Sequence, residues 1–184
     1  WYAGETVIAS IGQGFVLATP LQLAVMTAAL ANGGKVLKPQ LISRIEDWQG
    51  EVLLQSQPEL VRQIDYSPAT WKAVAGGLVA VVNEARGTGR IVALEDVLVA
   101  GKTGTSQVIR RKTDEEEELD AGGEIPYRFR PHALFVAYAP ADKPKIAVAV
   151  VVEHGQHGGS AAGPVAKAIL ESYFALNTNS GEAK

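Results

Sequence analysis

The chain contains no cysteine, an absence that excludes structural disulfides and thiolate zinc sites while leaving the compartment open. It also lacks an excess of positive charge. With 17 Lys+Arg against 20 Asp+Glu, the formal net charge is -3, so there is none of the basic field that nucleic-acid backbones and anionic membranes attract. Nucleic acid is not expected as a partner. Methionine occurs once and does not open the chain. The first residues, WYAGETVIAS, lack the charged, apolar and small-residue regions of a signal peptide, and the chain is expected to be cut from something longer. The longest apolar stretch free of charge, 16–31, is interrupted by Thr19, Pro20, Gln22 and Thr27 and falls short of the roughly 20 apolar residues a membrane span requires. What is present is an ordinary composition, 47% hydrophobic and 20% charged over 184 residues, enough for one domain with a core of its own.

Local punctuation divides the chain. Thr19-Pro20-Leu21-Gln22 sets a capping hydroxyl before a first-turn proline with Gln three positions on, and the glycines at 33–34 stop the run, which predicts a helix over 20–32. That helix has almost no polar face and is expected to be buried on several sides. Short β-prone runs on either side of Asp47-Trp48-Gln49-Gly50 predict an antiparallel hairpin. Ser67-Pro68 repeats the cap-then-proline start, and Trp71, Val74, Leu78, Val81 and Val82 follow at helical spacing until the glycines at 87 and 89. Three strand-like runs come next, VLVAGKTGTSQV, HALFVAYAP and KIAVAVVVE, best paired antiparallel, and a final helix carries Val165, Ala168, Ile169 and Tyr173. The order helix, hairpin, helix, three strands, helix describes an α+β fold. The acidic run at 112–120 and its flanking glycines predict a mobile loop over 112–124, and the polar tail at 177–184 is expected to fray.

Two motifs invite ligand chemistry and fail on spacing. Glu153, His154 and His157 are metal-binding residue types, but their spacing on a glycine-rich loop fits no rigid ligand template. Gly101-Lys102-Thr103 ends like a phosphate-binding loop. Such a loop needs a glycine five positions before its final Gly-Lys-Thr and a helix opening at the lysine. Position 96 is Asp, and the residues after Thr103 are β-prone.

Placed in a strand, Lys102-Thr103-Gly104-Thr105 reads differently. Thr103 and Thr105 then share a face, two hydroxyls about 7 Å apart that can donate to one carboxylate, while Lys102 adds positive charge from the other side. Gly104 lets a ligand or a neighbouring helix approach the backbone closely, and a strand amide can face a developing oxyanion. The tetrapeptide alone is equally compatible with an ordinary edge strand whose polar residues face water.

Taken with its surroundings, GKTGTSQV resembles the Lys-Thr-Gly element of the penicillin-binding, serine-dependent acyltransferases. IGQGFVLATPLQLAVMTAALANGG, the GTG at 87–89, HALFVAYAP, IAVAVVVEHG and GGSAAGPVAKAILESYF follow in the family's order, from about Gly12 to Phe174. The chain is most similar to the elongation-specific D,D-transpeptidases among them. The resemblance implies an antiparallel sheet flanked by helices, of the penicillin-binding transpeptidase and β-lactamase type, here as a partial domain. It implies catalytic roles for Lys102 and Thr105 and substrate binding by Lys102, Thr103, Gly104 and Thr105: Lys102 holds positive potential in the cleft, Thr103 and Thr105 bind the substrate's terminal carboxylate, and the Thr105 amide supplies half of an oxyanion hole. No metal or organic cofactor is implied. The implied partners are peptidoglycan stem peptides, β-lactam antibiotics, the upstream part of the same domain and a membrane glycosyltransferase of the elongation machinery. The implied location is the periplasmic face of the bacterial inner membrane.

One departure stands out. The family's nucleophile lies in Ser-x-x-Lys and a second proton-handling element in Ser-x-Asn, yet no serine of this chain has Lys at the third following position or Asn at the second. Both elements are expected before Trp1, and these residues alone are expected to be inactive. A β-lactamase-like hydrolase and a non-catalytic penicillin-binding sensor module stay open as alternatives.

Overall fold

The computed structural model describes residues 1–108 and 125–179. Its framework is a three-stranded antiparallel sheet in which β6 (His132–Ala139) lies between β5 (Ala100–Ser106) and β7 (Ile146–Val152). Thr103 stands opposite Phe135, and Phe135 opposite Val150. Side chains alternate faces along a strand. The face holding Ala133, Phe135, Ala137 and Ala139 is sealed completely, all four at zero exposure. Val82 from α3 (Pro68–Asn83), Val92, Val99, and Ala166 and Leu170 from α4 (Gly163–Asn179) close over it. On the other face, Ala24, Val25 and Ala28 of α2 (Pro20–Ala31) approach Ala147 of β7.

The helix starts follow the caps read from sequence. Thr19 accepts from the Gln22 amide at 3.2 Å while the Gln22 side chain accepts from the Thr19 amide at 2.8 Å, a reciprocal capping box with Pro20 in the first turn. Ser67 accepts from the Thr70 amide at 3.1 Å ahead of Pro68. The hairpin is also present, β2 (Arg44–Glu46) against β3 (Val52–Gln55). Its turn is organised by Asp47, whose carboxylate accepts from the amides of Gln49 at 2.8 Å and Glu51 at 2.9 Å.

Several expectations change. α2 was expected to be covered on several sides, but among its residues only Thr27 and Ala29 are buried, and Leu21 and Met26 are 59% and 45% exposed. The sheet covers one side of an all-round apolar helix, and the opposite side lines an open groove with Val36, Val61 and Trp71. α3 stops at Asn83, before the glycines. The last helix is described to Asn179, and the rest of the tail expected to fray lies outside the described residues. The loop expected to be mobile, 112–124, lies wholly outside the described residues, as do residues 180–184. Additional elements among the described residues include α1 (Ala3–Ser10), a ribbon of β1 (Lys35–Leu37) with β4 (Leu60–Gln63), and a π-helical turn at Gly158–Ala162 leading into α4.

Candidate active site

Among the described residues β5 pairs only with β6, so no strand is paired with its other edge. Lys102, Thr103, Gly104 and Thr105 all lie on this strand, as the alternation argument requires. In an antiparallel strand the N–H and C=O of one residue point to the same side, and successive residues alternate sides. The Thr105 carbonyl accepts from Gln13 Nε2 at 2.9 Å and the Thr103 carbonyl from Lys102 Nζ at 2.8 Å. Both peptide groups therefore face away from β6, and the Thr105 N–H is directed to the same edge as its carbonyl.

Lys102 does not stay on the far side of the strand. Its ammonium curls around the edge to Thr103, 3.4 Å from the hydroxyl, and the Thr103 hydroxyl meets that of Thr88 at 3.1 Å. An ammonium, two hydroxyls and an outward amide thus line one strand edge. An ammonium only donates, whereas a hydroxyl both donates and accepts. With Lys102 donating to Thr103, the threonine's own proton is available to pass on. This set suits an anion such as a carboxylate, and the Thr105 amide suits a carbonyl oxygen gaining negative charge. Lys102 and Thr105 are exposed, and Thr103 and Gly104 are half-buried.

The backbone of Gly104 has a close neighbour the sequence did not disclose, whereas a Cβ on Gly104 itself would meet only Leu134, 3.2 Å from its Cβ. Gly158, at the start of the π-helical turn, lies so close that a Cβ on it would collide with the carbonyl oxygen of Leu134 and come 2.5 Å from that of Gly104. A Cβ on the next residue, Gly159, would stand 2.8 Å from the Thr88 carbonyl oxygen. The turn therefore packs on the threonine side of the strand, against the backbone of Gly104 and beside Thr103. Thr88, Gln13 and Gly158 are the participants that residue-type reasoning overlooked. Each lies in a glycine-containing stretch that the sequence reading used to end a helix, as a glycine-rich loop or as part of the family resemblance, at 87–89, 158–159 and 12–14.

The loop at 153–157 is occupied by other contacts. The His154 amide donates to His132 Nδ1 at 2.9 Å, and His154 Nδ1 meets the Arg130 carbonyl at 3.0 Å, an arrangement in which the ring nitrogen donates. Its ring also stacks within 4.7 Å of Tyr127. Among the described residues no group of three His, Asp or Glu side chains is placed to hold a metal ion, and no helix is long and apolar enough to cross a membrane. The groove between α2, Val61 and Trp71 is a separate concavity with a largely apolar lining.

Comparison with known proteins identifies the family and the fold. The penicillin binding protein transpeptidase domain family matches residues 1–171. The peptidoglycan D,D-transpeptidase MrdA of Haemophilus influenzae is 41% identical over 177 residues, covering 95% of this chain and 26% of that protein. The crystal structure of Pseudomonas aeruginosa PBP2 in complex with WCK 5153 is 41% identical and superposes with a TM-score of 0.71, over 94% of this chain and 33% of that one. The PBP2 of Helicobacter pylori in complex with MreC is 27% identical with a TM-score of 0.65, over 96% of this chain and 28% of that one. The chain thus spans about a quarter to a third of the length of the relatives it matches, and it belongs to the penicillin binding protein transpeptidase domain family.

Proposed function

We propose that the protein containing this chain is a peptidoglycan D,D-transpeptidase, and that the chain supplies the strand on which the donor peptide is held and polarised. The observation that carries this reading is the Lys102, Thr103 and Thr88 cluster beside the outward Thr105 amide on the outer edge of β5. In the proposed reaction a serine outside these residues attacks the penultimate D-Ala carbonyl. Its oxygen bonds to the carbonyl carbon, the peptide bond to the last D-Ala breaks, and that D-Ala leaves with a proton on its nitrogen. An amine of a neighbouring stem peptide then displaces the serine oxygen, restoring the hydroxyl and forming the crosslink. Lys102, Thr103 and Thr105 hold the terminal carboxylate, and the Thr105 amide stabilises the oxyanion of each tetrahedral intermediate. A β-lactam enters as a mimic whose ring-opened acyl group stays on the serine. The names of the relatives, D,D-transpeptidases by description, favour transfer over hydrolysis.

Since no Ser-x-x-Lys occurs in the 184 residues, the chain alone forms no covalent adduct with penicillin in this proposal. Its sheet and α2 groove instead dock the upstream part of the same domain. The proposed location is the periplasmic face of the inner membrane, in the elongation machinery beside a membrane glycosyltransferase. The MreC complex of the H. pylori relative supports a place in a multiprotein assembly.

The test is the second-order rate of acylation by benzylpenicillin in the full-length protein, measured with the melting temperature. Thr105→Val keeps shape and strand preference but removes a donor. A hydrogen bond to a charged group contributes about 1.5–3 kcal/mol, so the rate should fall roughly tenfold to a hundredfold. Lys102→Ala should fall further, because it removes the site's positive charge. Unchanged rates in both variants, with melting preserved, would reduce β5 to a polar sheet edge.

A further inference from the structure

The residue that reaches Thr105 from outside the sheet is separated from it by 92 positions, and its backbone is unusually well tied down. α1 ends in a Schellman arrangement: the Gly12 amide donates to the Ala9 carbonyl at 2.9 Å and the Gln13 amide to the Ile8 carbonyl at 3.1 Å. Gly12 and Gly14 both have left-handed backbones, φ 75 and 73, and a Cβ on Gly14 would approach Ile8 Cγ2 at 2.9 Å. Gln13 therefore has its main chain fixed on both sides, and from that mount its side-chain amide donates to the Thr105 carbonyl at 2.9 Å.

We propose that Gln13 is a positioning residue for the acyl-transfer strand: its amide anchors the outer edge of β5 at Thr105 and so fixes where the Thr105 N–H points. The inference rests on the function proposed above. β6 holds one edge of β5 through Ser106 opposite His132, whereas the Thr105 carbonyl faces outward. The Gln13 side chain stands where the N–H of a further strand would stand, so both edges of the strand end are fastened. Restraint on the Thr105 carbonyl restrains the torsions of that residue and hence its amide, where a misplacement of about 1 Å can cost on the order of a hundredfold in rate. Glutamine suits the role because it is neutral and donates. A carboxylate would set lone pairs against the carbonyl, and a lysine would add a second charge beside Lys102.

The experiment uses the full-length protein with benzylpenicillin. Acylation rates of Gln13→Leu, Gln13→Glu and Lys102→Ala are divided by the wild-type rate at each pH from 8 to 5, and melting temperatures are recorded. Gln13→Leu should acylate several-fold to tenfold more slowly at every pH, the effect of one lost hydrogen bond, with melting unchanged. Gln13→Glu should be equally slow at pH 8 and recover relative to wild type toward pH 5, because a protonated acid regains a donor. A merely structural role would not produce that pH-dependent rescue. Faster or unchanged acylation in Gln13→Leu, a flat ratio for Gln13→Glu, or a rate loss accompanied by a matching loss of melting temperature would each overturn the inference. If Lys102→Ala also acylates normally, the reading of the strand itself has failed. If Lys102→Ala is slow while Gln13→Leu is not, only the role of Gln13 is lost.

Discussion

The sheet and the two ribbons are built from the same kind of residue and behave in opposite ways. On β6, every second side chain from Ala133 to Ala139 has no solvent exposure, because α3, α4 and the π-helical turn close over that face. On the β2–β3 ribbon all seven residues are exposed, Leu53 at 67%, and at the turn Trp48 stands 90% exposed. The β1–β4 ribbon leaves Leu60 and Val61 more than half exposed. Strand formation therefore does not measure rigidity here. An isolated two-stranded ribbon is marginal in water, whereas a strand with one sealed face inherits the stiffness of close packing. The candidate site belongs to the stiff region, which is where groups that must meet a transition state are best held.

The largest effect expected from this contrast is at Phe135, fully buried opposite Thr103. Phe135→Ala removes a ring from the sealed face and should cost about 3–5 kcal/mol, read by chemical denaturation of the full-length protein. A cost below about 1 kcal/mol would mean that the sealed face is not the stiff region. Next comes Gly158→Ala. The added methyl would meet the backbone oxygens of Leu134 and Gly104, which no side-chain rotation can relieve. Overpacking of this kind costs about 1–3 kcal/mol. Because the displaced backbone includes Gly104, acylation should fall by more than the stability loss alone explains. Normal acylation in a destabilised Gly158→Ala would separate the π-helical turn from the site.

Much of this arrangement was legible in the sequence, for local reasons. Alternation places Thr103 and Thr105 together, cap chemistry starts α2 and α3, and the Asp47–Gly50 turn announces its hairpin. The illegible parts depend on partners distant in sequence. Strands β1 and β4 have three and four residues and pair across the whole hairpin, too short for an alternation signal. α1 is eight residues, tied by the Tyr2 amide to the Glu5 carboxylate at 2.8 Å, a contact masked by an unremarkable composition. For α2, an apolar sequence does not say what lies against it, and Leu21 and Met26 stay outside the core. At the site, Lys102, Thr103 and Thr105 carry their chemistry in their side chains. Gln13 reaches the strand from a turn 92 positions away and Gly158 acts by the close approach of its backbone, relations that residue type does not encode.

The smallest effect should come from the ribbon turn, and it contains a comparison of its own. Trp48 is the more conspicuous residue, yet it is almost wholly in water, whereas Asp47 satisfies two backbone amides. Trp48→Ser removes an aromatic ring that covers little and should change stability by less than about 0.5 kcal/mol, as surface substitutions away from specific features do. Asp47→Ala leaves the Gln49 and Glu51 amides to water, not buried and orphaned, so its cost should be near the net value of one hydrogen bond, about 0.5–1.5 kcal/mol. Neither should alter acylation, because the ribbon shares no strand with β5. Denaturation midpoints and acylation rates of both variants decide the matter. If Trp48→Ser destabilises the protein more than Asp47→Ala, the exposed ring packs against something in the full-length protein, and the ribbon would then join the stiff region with which it has been contrasted.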